Sequence, residues 1–223
     1  MFPLRPLRVI VTLAAVAGFA QAALAGPPLI CHPFITDAAA PMLPWLPTRD
    51  WHSPDPSYDV ARLAADTLKL LSPDARVIDR MENMRRAAIY AERDLGLAES
   101  LLTAVVERTK TPQADARAAA MAWFDAGYLL ETYRQLDLIY RYEMRPAHGR
   151  PATIVPRAQL AVDGYALLRR ARAQAPVTEL PEIEFAASLM TQQRVASAHR
   201  DKAKAGAVPG SLLARNLEMF WTD

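Results

Sequence analysis

The stretch Val77-Ile78-Asp79-Arg80-Met81-Glu82-Asn83-Met84-Arg85-Arg86-Ala87-Ala88-Ile89-Tyr90-Ala91 decides the fold class of this chain. Val77, Met81, Met84, Ala88 and Ala91 recur every three or four residues, which places them along one side of an α-helix. Ser72-Pro73-Asp74 before it is a turn that restarts a helix, and Asp94-Leu95-Gly96 after it is a break.

The same period runs outward in both directions. Ser57 reads as the N-cap of a helix to about Leu71, with Val60, Leu63, Ala64, Thr67, Leu68 and Leu71 on one face. Ala98, Leu101, Leu102 and Val105 stripe another helix, ending near Lys110. Thr111-Pro112 reads as the cap and first-turn proline of a long helix reaching to about Glu143. That helix carries Ala120, Trp123, Phe124, Gly127, Leu130 and Tyr133. Arg145 to Pro156 is a loop, and Leu160, Ala161, Gly164, Leu168 and Ala171 mark a further helix. Pro181 opens one with Ile183, Ala186, Ala187 and Met190. His199 to Pro209 is polar and reads as flexible. Leu213, Leu217, Phe220 and Trp221 outline a short terminal helix. There is no alternating strand pattern and no hairpin turn such as Asn-Gly. The expected fold is all-α: antiparallel helical hairpins stacked as a short solenoid or an irregular bundle, preceded by a proline-rich extended segment.

Three similar phrases recur along the helices. Ala88-Ile89-Tyr90, Ala126-Gly127-Tyr128 and Asp163-Gly164-Tyr165 end in tyrosines 38 and 37 residues apart. Small residues beside a tyrosine allow two helices to approach while the ring fills the space next to them. The stretch from Arg85 to Val106 resembles one unit of the tetratricopeptide-type helical-hairpin repeats, over about residues 75–110. Ala87-Ala88-Ile89-Tyr90 falls on the first helix of the unit, Asp94-Leu95-Gly96 on the break, and Ala98, Leu102 and Val105 on the second helix. The unit lacks the Trp-Leu-Gly start, and Arg86 stands where a small residue belongs. The resemblance implies a scaffold that binds a peptide or protein, and no catalytic activity.

Residues 1–25 read as a secretory signal peptide. Arg5 and Arg8 are its positive start, Val9 to Ala20 its apolar run, and Ala23-Leu24-Ala25 its small-x-small cleavage site. Cleavage after Ala25 would leave Gly26 as the new N-terminus. The alternative is an uncleaved anchor, but the apolar run is shorter than the roughly 20 residues that span a bilayer. Lipid attachment at Cys31 is disfavoured because the bulky Ile30 precedes it. Without the signal the chain holds 24 basic and 24 acidic residues and is formally neutral. That gives no charge excess for binding nucleic acid or holding anionic lipid. The expected location is the bacterial periplasm or the exterior, with no stable membrane insertion after cleavage.

The organisation therefore reads as a signal (1–25), a proline-rich strap (26–56) and a helical domain (57–223). The strap holds eight of the 18 prolines, which excludes a long helix or a central strand. Leu29, Ile30, Phe34, Met42, Leu43, Trp45, Leu46 and Trp51 make it too apolar for a linker. It packs on the helical body, or Trp45 and Trp51 serve a binding groove.

Catalytic signatures are absent from the sequence. His32, His52, His148 and His199 are scattered without zinc-ligand spacing. A single cysteine excludes an internal disulfide, and Cys31 reads as a small apolar residue, with intermolecular pairing or a metal contact as the alternative. No nucleophile elbow and no glycine-rich phosphate loop occurs. Asp125 and Glu131 do not share a helix face, so they make no glycosidase pair. Asp79, Glu82, Arg85 and Arg86 have the spacing of surface ion pairs. Trp123-Phe124-Asp125-Ala126-Gly127-Tyr128 is the most unusual phrase. It reads as a helix-crossing point, or as a small-ligand or enzyme pocket around Trp123, Asp125 and Tyr128. A buried Asp125 would need a partner such as Arg85 or Arg86. No catalytic residue, metal ligand or cofactor is assigned. The candidate binding residues are Trp45, Trp51, Trp123, Asp125 and Tyr128. The leading expectation is an exported scaffold for an envelope protein or peptide, ahead of the ligand pocket and of a purely structural envelope role.

Overall fold

A computed structural model describes residues 30–48, 50–92, 94–142, 162–190 and 193–221. The signal peptide with its Ala25–Gly26 site, the first residues of the strap, the Arg145–Pro156 loop, Leu160 and Ala161 lie outside the described residues. Among the described residues there are eight α-helices: α1 Leu63–Leu70, α2 Val77–Ala91, α3 Leu95–Glu107, α4 Ala116–Tyr142, α5 Gly164–Gln174, α6 Leu180–Met190, α7 Gln193–Gly206 and α8 Leu212–Phe220. Single 3-10 turns, Val60–Arg62 and Val177–Glu179, lead into α1 and α6. Among the described residues there is no strand, only an isolated bridge between Trp45 and Pro54. The fold is all-α.

Pairing follows sequence order in two places. In α4 and α5, Glu131 lies against Gly164, Gly127 against Gly164 and Leu168, and Trp123 against Arg170, so the helices run antiparallel. Gly127 and Gly164 permit this approach. A Cβ on Gly127 would stand 2.6 Å from the Gly164 carbonyl oxygen, and one on Gly164 would stand 2.7 Å from that of Gly127. In α6 and α7, Glu184 meets His199 and Pro181 meets Gly206, again antiparallel. Elsewhere neighbours in sequence also touch, α1 with α2 and α3 with α4, but order is not strictly followed. Helix α2 packs more extensively on α4 than on α3, and also touches α6, which makes the assembly a bundle.

The core explains α2 and α3. Leu101, Leu102 and Val105 of α3 and Ile78, Met81, Met84 and Ala88 of α2 are buried. Each large apolar side chain so buried stabilises by about 1.5–3 kcal/mol. Glu182 of α6 accepts from Ile78 N–H at 3.4 Å and pairs with Arg76 at 2.7 Å, placing a carboxylate at the positive end of α2.

Three helix ends differ from the sequence expectation. Ser57 does not cap: its N–H and hydroxyl both donate to Asp55, at 2.8 and 2.7 Å. Asp59 caps instead, accepting from Ala61 N–H at 3.1 Å. Thr111-Pro112 does not open α4, because the Thr111 hydroxyl donates back to the Arg108 carbonyl at 3.2 Å. Asp115 opens it, accepting from Ala118 N–H at 2.8 Å. His199 to Pro209 is not a flexible tail after a helix. Helix α7 continues to Gly206 because Ala196, His199 and Ala203 face the interior. Gly210, at φ +73°, then turns the chain, and Ser211 caps α8.

Candidate functional site

A segment with many prolines cannot satisfy its own backbone in a helix or a sheet. Its remaining N–H groups and its carbonyls need partners from elsewhere. Helix α2 supplies most of them. Residues 79, 82, 83, 86 and 90 share one stripe of the helix, and the strap lies along it. Asp79 accepts from Asp37 N–H at 3.2 Å. Glu82 accepts from Phe34 N–H at 3.1 Å. The Asn83 amide reads two positions, accepting from Leu43 N–H at 2.9 Å and donating to the Pro41 carbonyl at 3.1 Å. Arg86 donates to the Leu43 carbonyl at 2.7 Å. Tyr90 donates to the Pro44 carbonyl at 2.6 Å and accepts from Asp55 N–H at 2.9 Å. Arg85 reaches round to the Ile30 and Trp51 carbonyls, at 3.2 and 2.9 Å.

Asn216 of α8 repeats the asparagine device. It accepts from Ile35 N–H at 3.0 Å and donates to the Ile35 carbonyl at 2.8 Å. Each side-chain amide stands in for the peptide group of a neighbouring strand. Most of these contacts go to backbone atoms, so they recognise an extended chain more than a particular sequence. Side chains add anchorage. Phe34 stacks on Phe220 with centroids 5.1 Å apart and meets Phe185 edge-on. Trp45 lies under the Arg85 and Arg86 guanidiniums, at 5.1 and 5.5 Å. Trp51 is half-buried against the core, and His52 pairs with the buried Glu92 at 2.7 Å.

The charges beneath the strap are not surface ion pairs, contrary to the sequence expectation for Asp79, Glu82, Arg85 and Arg86. Glu82 and Arg85 are fully buried and joined by two bonds, at 2.8 and 2.9 Å. Arg86 adds a third, at 2.7 Å. Burial pushes the Glu82 carboxyl up, but the two arginines outweigh it and hold it below its ordinary value. Burial raises the Asp79 carboxyl. The four residues do have helix-pair spacing; the second layer of chain that covers them is invisible to periodicity.

The phrase around Trp123 is divided by α4. Asp125 and Tyr128 are fully buried, whereas Trp123 is half-buried and stacked under Arg170 at 5.0 Å. The expected partners of Asp125, Arg85 or Arg86, are engaged elsewhere. Arg80 and Arg108 take their place, reaching one Asp125 oxygen at 2.8 and 2.5 Å. Both also donate to the Leu71 carbonyl, which locks the end of α1 to the cluster. Tyr128 stacks on Phe124 with centroids 5.7 Å apart, and its hydroxyl makes no hydrogen bond. Burial raises its phenol well above the ordinary value. Of the five candidate binding residues, only Trp45 and Trp51 lie in the strap, and Trp123, Asp125 and Tyr128 form no common wall.

A groove of about 300 Å³ lies beside the strap. Asp37, Ala40 and Pro41 form one side, Ser72 and Asp74 of the α1–α2 turn another, and Asp79 and Asn83 the floor. Among the described residues no cluster of histidine, cysteine and carboxylate side chains is placed to hold a metal ion. No helix among them is long and apolar enough to cross a membrane. Comparison with known proteins finds no matching family model, curated protein or solved structure.

Proposed function

We propose that this protein is an exported helical scaffold of the cell envelope that holds a protein or peptide partner in extended form. The observation that carries the reading is the stripe of α2, joined by Asn216. Asp79, Glu82 and Arg86 each make one side-chain contact, and Asn83, Tyr90 and Asn216 two each, to the backbone of a proline-bearing segment. Backbone recognition of this kind tolerates varied side chains, which suits a scaffold. In this chain the seat is filled from within by residues 30–56. The reading of residues 1–25 as a cleaved signal supports placement outside the cytoplasm, and the one-unit likeness to helical-hairpin repeats supports a binding role.

The test uses the full chain. A Trp45→Ala variant removes a side-chain anchor of the strap and leaves in place every α2 side chain that reads its backbone. A fluorescent peptide of residues 30–56 is expected to bind this variant saturably and the unaltered protein at least tenfold more weakly. A folded variant that ignores the peptide would remove the basis for the reading. Cell fractionation and the mass of the recovered protein test export, the expected product beginning at Gly26.

A further inference from the structure

Helices α5, α6 and α7 bring together Tyr165, His199 and Glu184, with Arg172 beside Glu184. The Tyr165 hydroxyl lies 2.7 Å from His199 Nε2. His199 Nδ1 is hydrogen-bonded to one oxygen of Glu184, and Arg172 Nε donates to the other. Exposure decreases along the chain: Tyr165 is half-buried, His199 is 7% exposed and Glu184 is 4% exposed. Tyr165 is thus the most exposed of the three residues.

The directions of these bonds follow from the state of the imidazole. An ionised carboxylate only accepts, so His199 Nδ1 donates to Glu184. When the imidazole is neutral its other nitrogen is the acceptor, and Tyr165 donates its proton to His199 Nε2. A hydroxyl donates to a base, and a buried carboxylate orients the base. That is the order an activated oxygen nucleophile requires, within the required reach of about 2.6–3.2 Å.

We propose that Tyr165 is an activated phenol that accepts acyl groups from esters, with His199 as its base and Glu184 as the residue that positions the base. Tyr165 Oη attacks the ester carbonyl and forms a new C–O bond. Its proton passes to His199 Nε2. The carbonyl's bond to the alcohol oxygen breaks, and the departing oxygen takes the proton from His199. The products are O-acyl Tyr165 and a free alcohol, with His199 neutral again. Glu184 offsets the positive charge on His199 during transfer. This site is independent of the strap and of the scaffold reading.

The experiment treats the folded, full-length protein with 4-nitrophenyl acetate and locates acetyl groups by peptide mass spectrometry. Tyr58 and Tyr90 are internal references. Both are half-buried, but their hydroxyls donate to the Asp66 carboxylate and to the Pro44 carbonyl rather than to an imidazole. Tyr165 is expected to acetylate at least tenfold faster than either. Equal rates in the unaltered protein overturn the proposal, and that comparison needs no variant. His199→Gln then separates chemistry from structure, since an amide can bridge Tyr165 and Glu184 but cannot take a proton. It is expected to melt near the parent and to lower Tyr165 acetylation to the reference rate. An unchanged Tyr165 rate in the folded variant would show that the chain is only a tie between helices.

Discussion

Asp125 shows how one side chain organises the middle of the bundle. Arg80 and Asp125 have no solvent exposure, and Arg80 also donates to the carbonyls of Leu71, Ser72 and Ala75. The charge cannot be relieved by water. Asp125→Ala leaves the Arg80 guanidinium buried without its anion and is expected to cost about 3–5 kcal/mol. Urea unfolding would show it as a lower midpoint. Arg108 is partly exposed, so Arg108→Ala should cost less, because solvent takes over part of its role. A stability unchanged in Asp125→Ala would mean that the carbonyls alone hold Arg80. The sequence made Asp125 conspicuous but pointed to Arg85 and Arg86. Which arginine of α2 meets an aspartate about 40 residues away depends on how α2 and α4 cross, and local spacing carries no such information.

At the scale of elements, two contacts set how pieces meet. The first is the crossing of α4 and α5. Gly127→Ala puts a methyl group 2.6 Å from the Gly164 carbonyl oxygen and 3.0 Å from Leu168 N, both backbone atoms that cannot swing away. Overpacking of this kind costs about 1–3 kcal/mol. A Tm equal to the parent's would show that the helices slide apart freely. The second is the strap on α2. Asn83→Ala strands the buried Leu43 N–H, which costs about 1–3 kcal/mol, whereas water can take over the bond to the carbonyl of the exposed Pro41. Hydrogen exchange should show the loss locally, with faster exchange at Leu43 while α3 and α4 keep their protection. Global loss of protection would mean that the strap is integral to the core rather than seated on it. The glycine crossing was legible from Gly127 and Gly164 beside their tyrosines. The strap's seat was not. Its signals were the prolines in one segment and the polar side chains of α2 in another, and nothing local joins them. The three tyrosines of the apparent period end in three settings: Tyr90 on the strap, Tyr128 in the core and Tyr165 against His199.

For the whole molecule, pH acts on stability in opposite senses through different groups. Glu82 sits below its ordinary value in the fold. Its stabilising share is therefore complete above the value of an unfolded glutamate and is lost as the pH falls through the lower folded value. Asp79 and Glu131 are raised, chiefly by burial, so the fold takes up their protons before the unfolded chain does. Acid thus relieves these two while it undermines Glu82, and the acid limb should be shallow until Glu82 itself is protonated. The alkaline limb has a single direction. Burial raises the phenols of Tyr128 and Tyr133, and both are fully buried. Above about pH 10 the unfolded chain loses these protons and the fold keeps them. The unfolded state then binds fewer protons, so stability must fall as the pH rises. Each fully retained proton contributes about 1.4 kcal/mol of loss per pH unit. Urea midpoints measured at pH 9, 10 and 11 should decline with increasing slope, and Tyr128→Phe should flatten the decline. The same substitution removes a buried hydroxyl that makes no hydrogen bond, so at neutral pH it should cost little or even stabilise. If Tyr128→Phe leaves the alkaline slope unchanged, the phenol must already ionise inside the folded protein, despite its full burial and its stacking on Phe124.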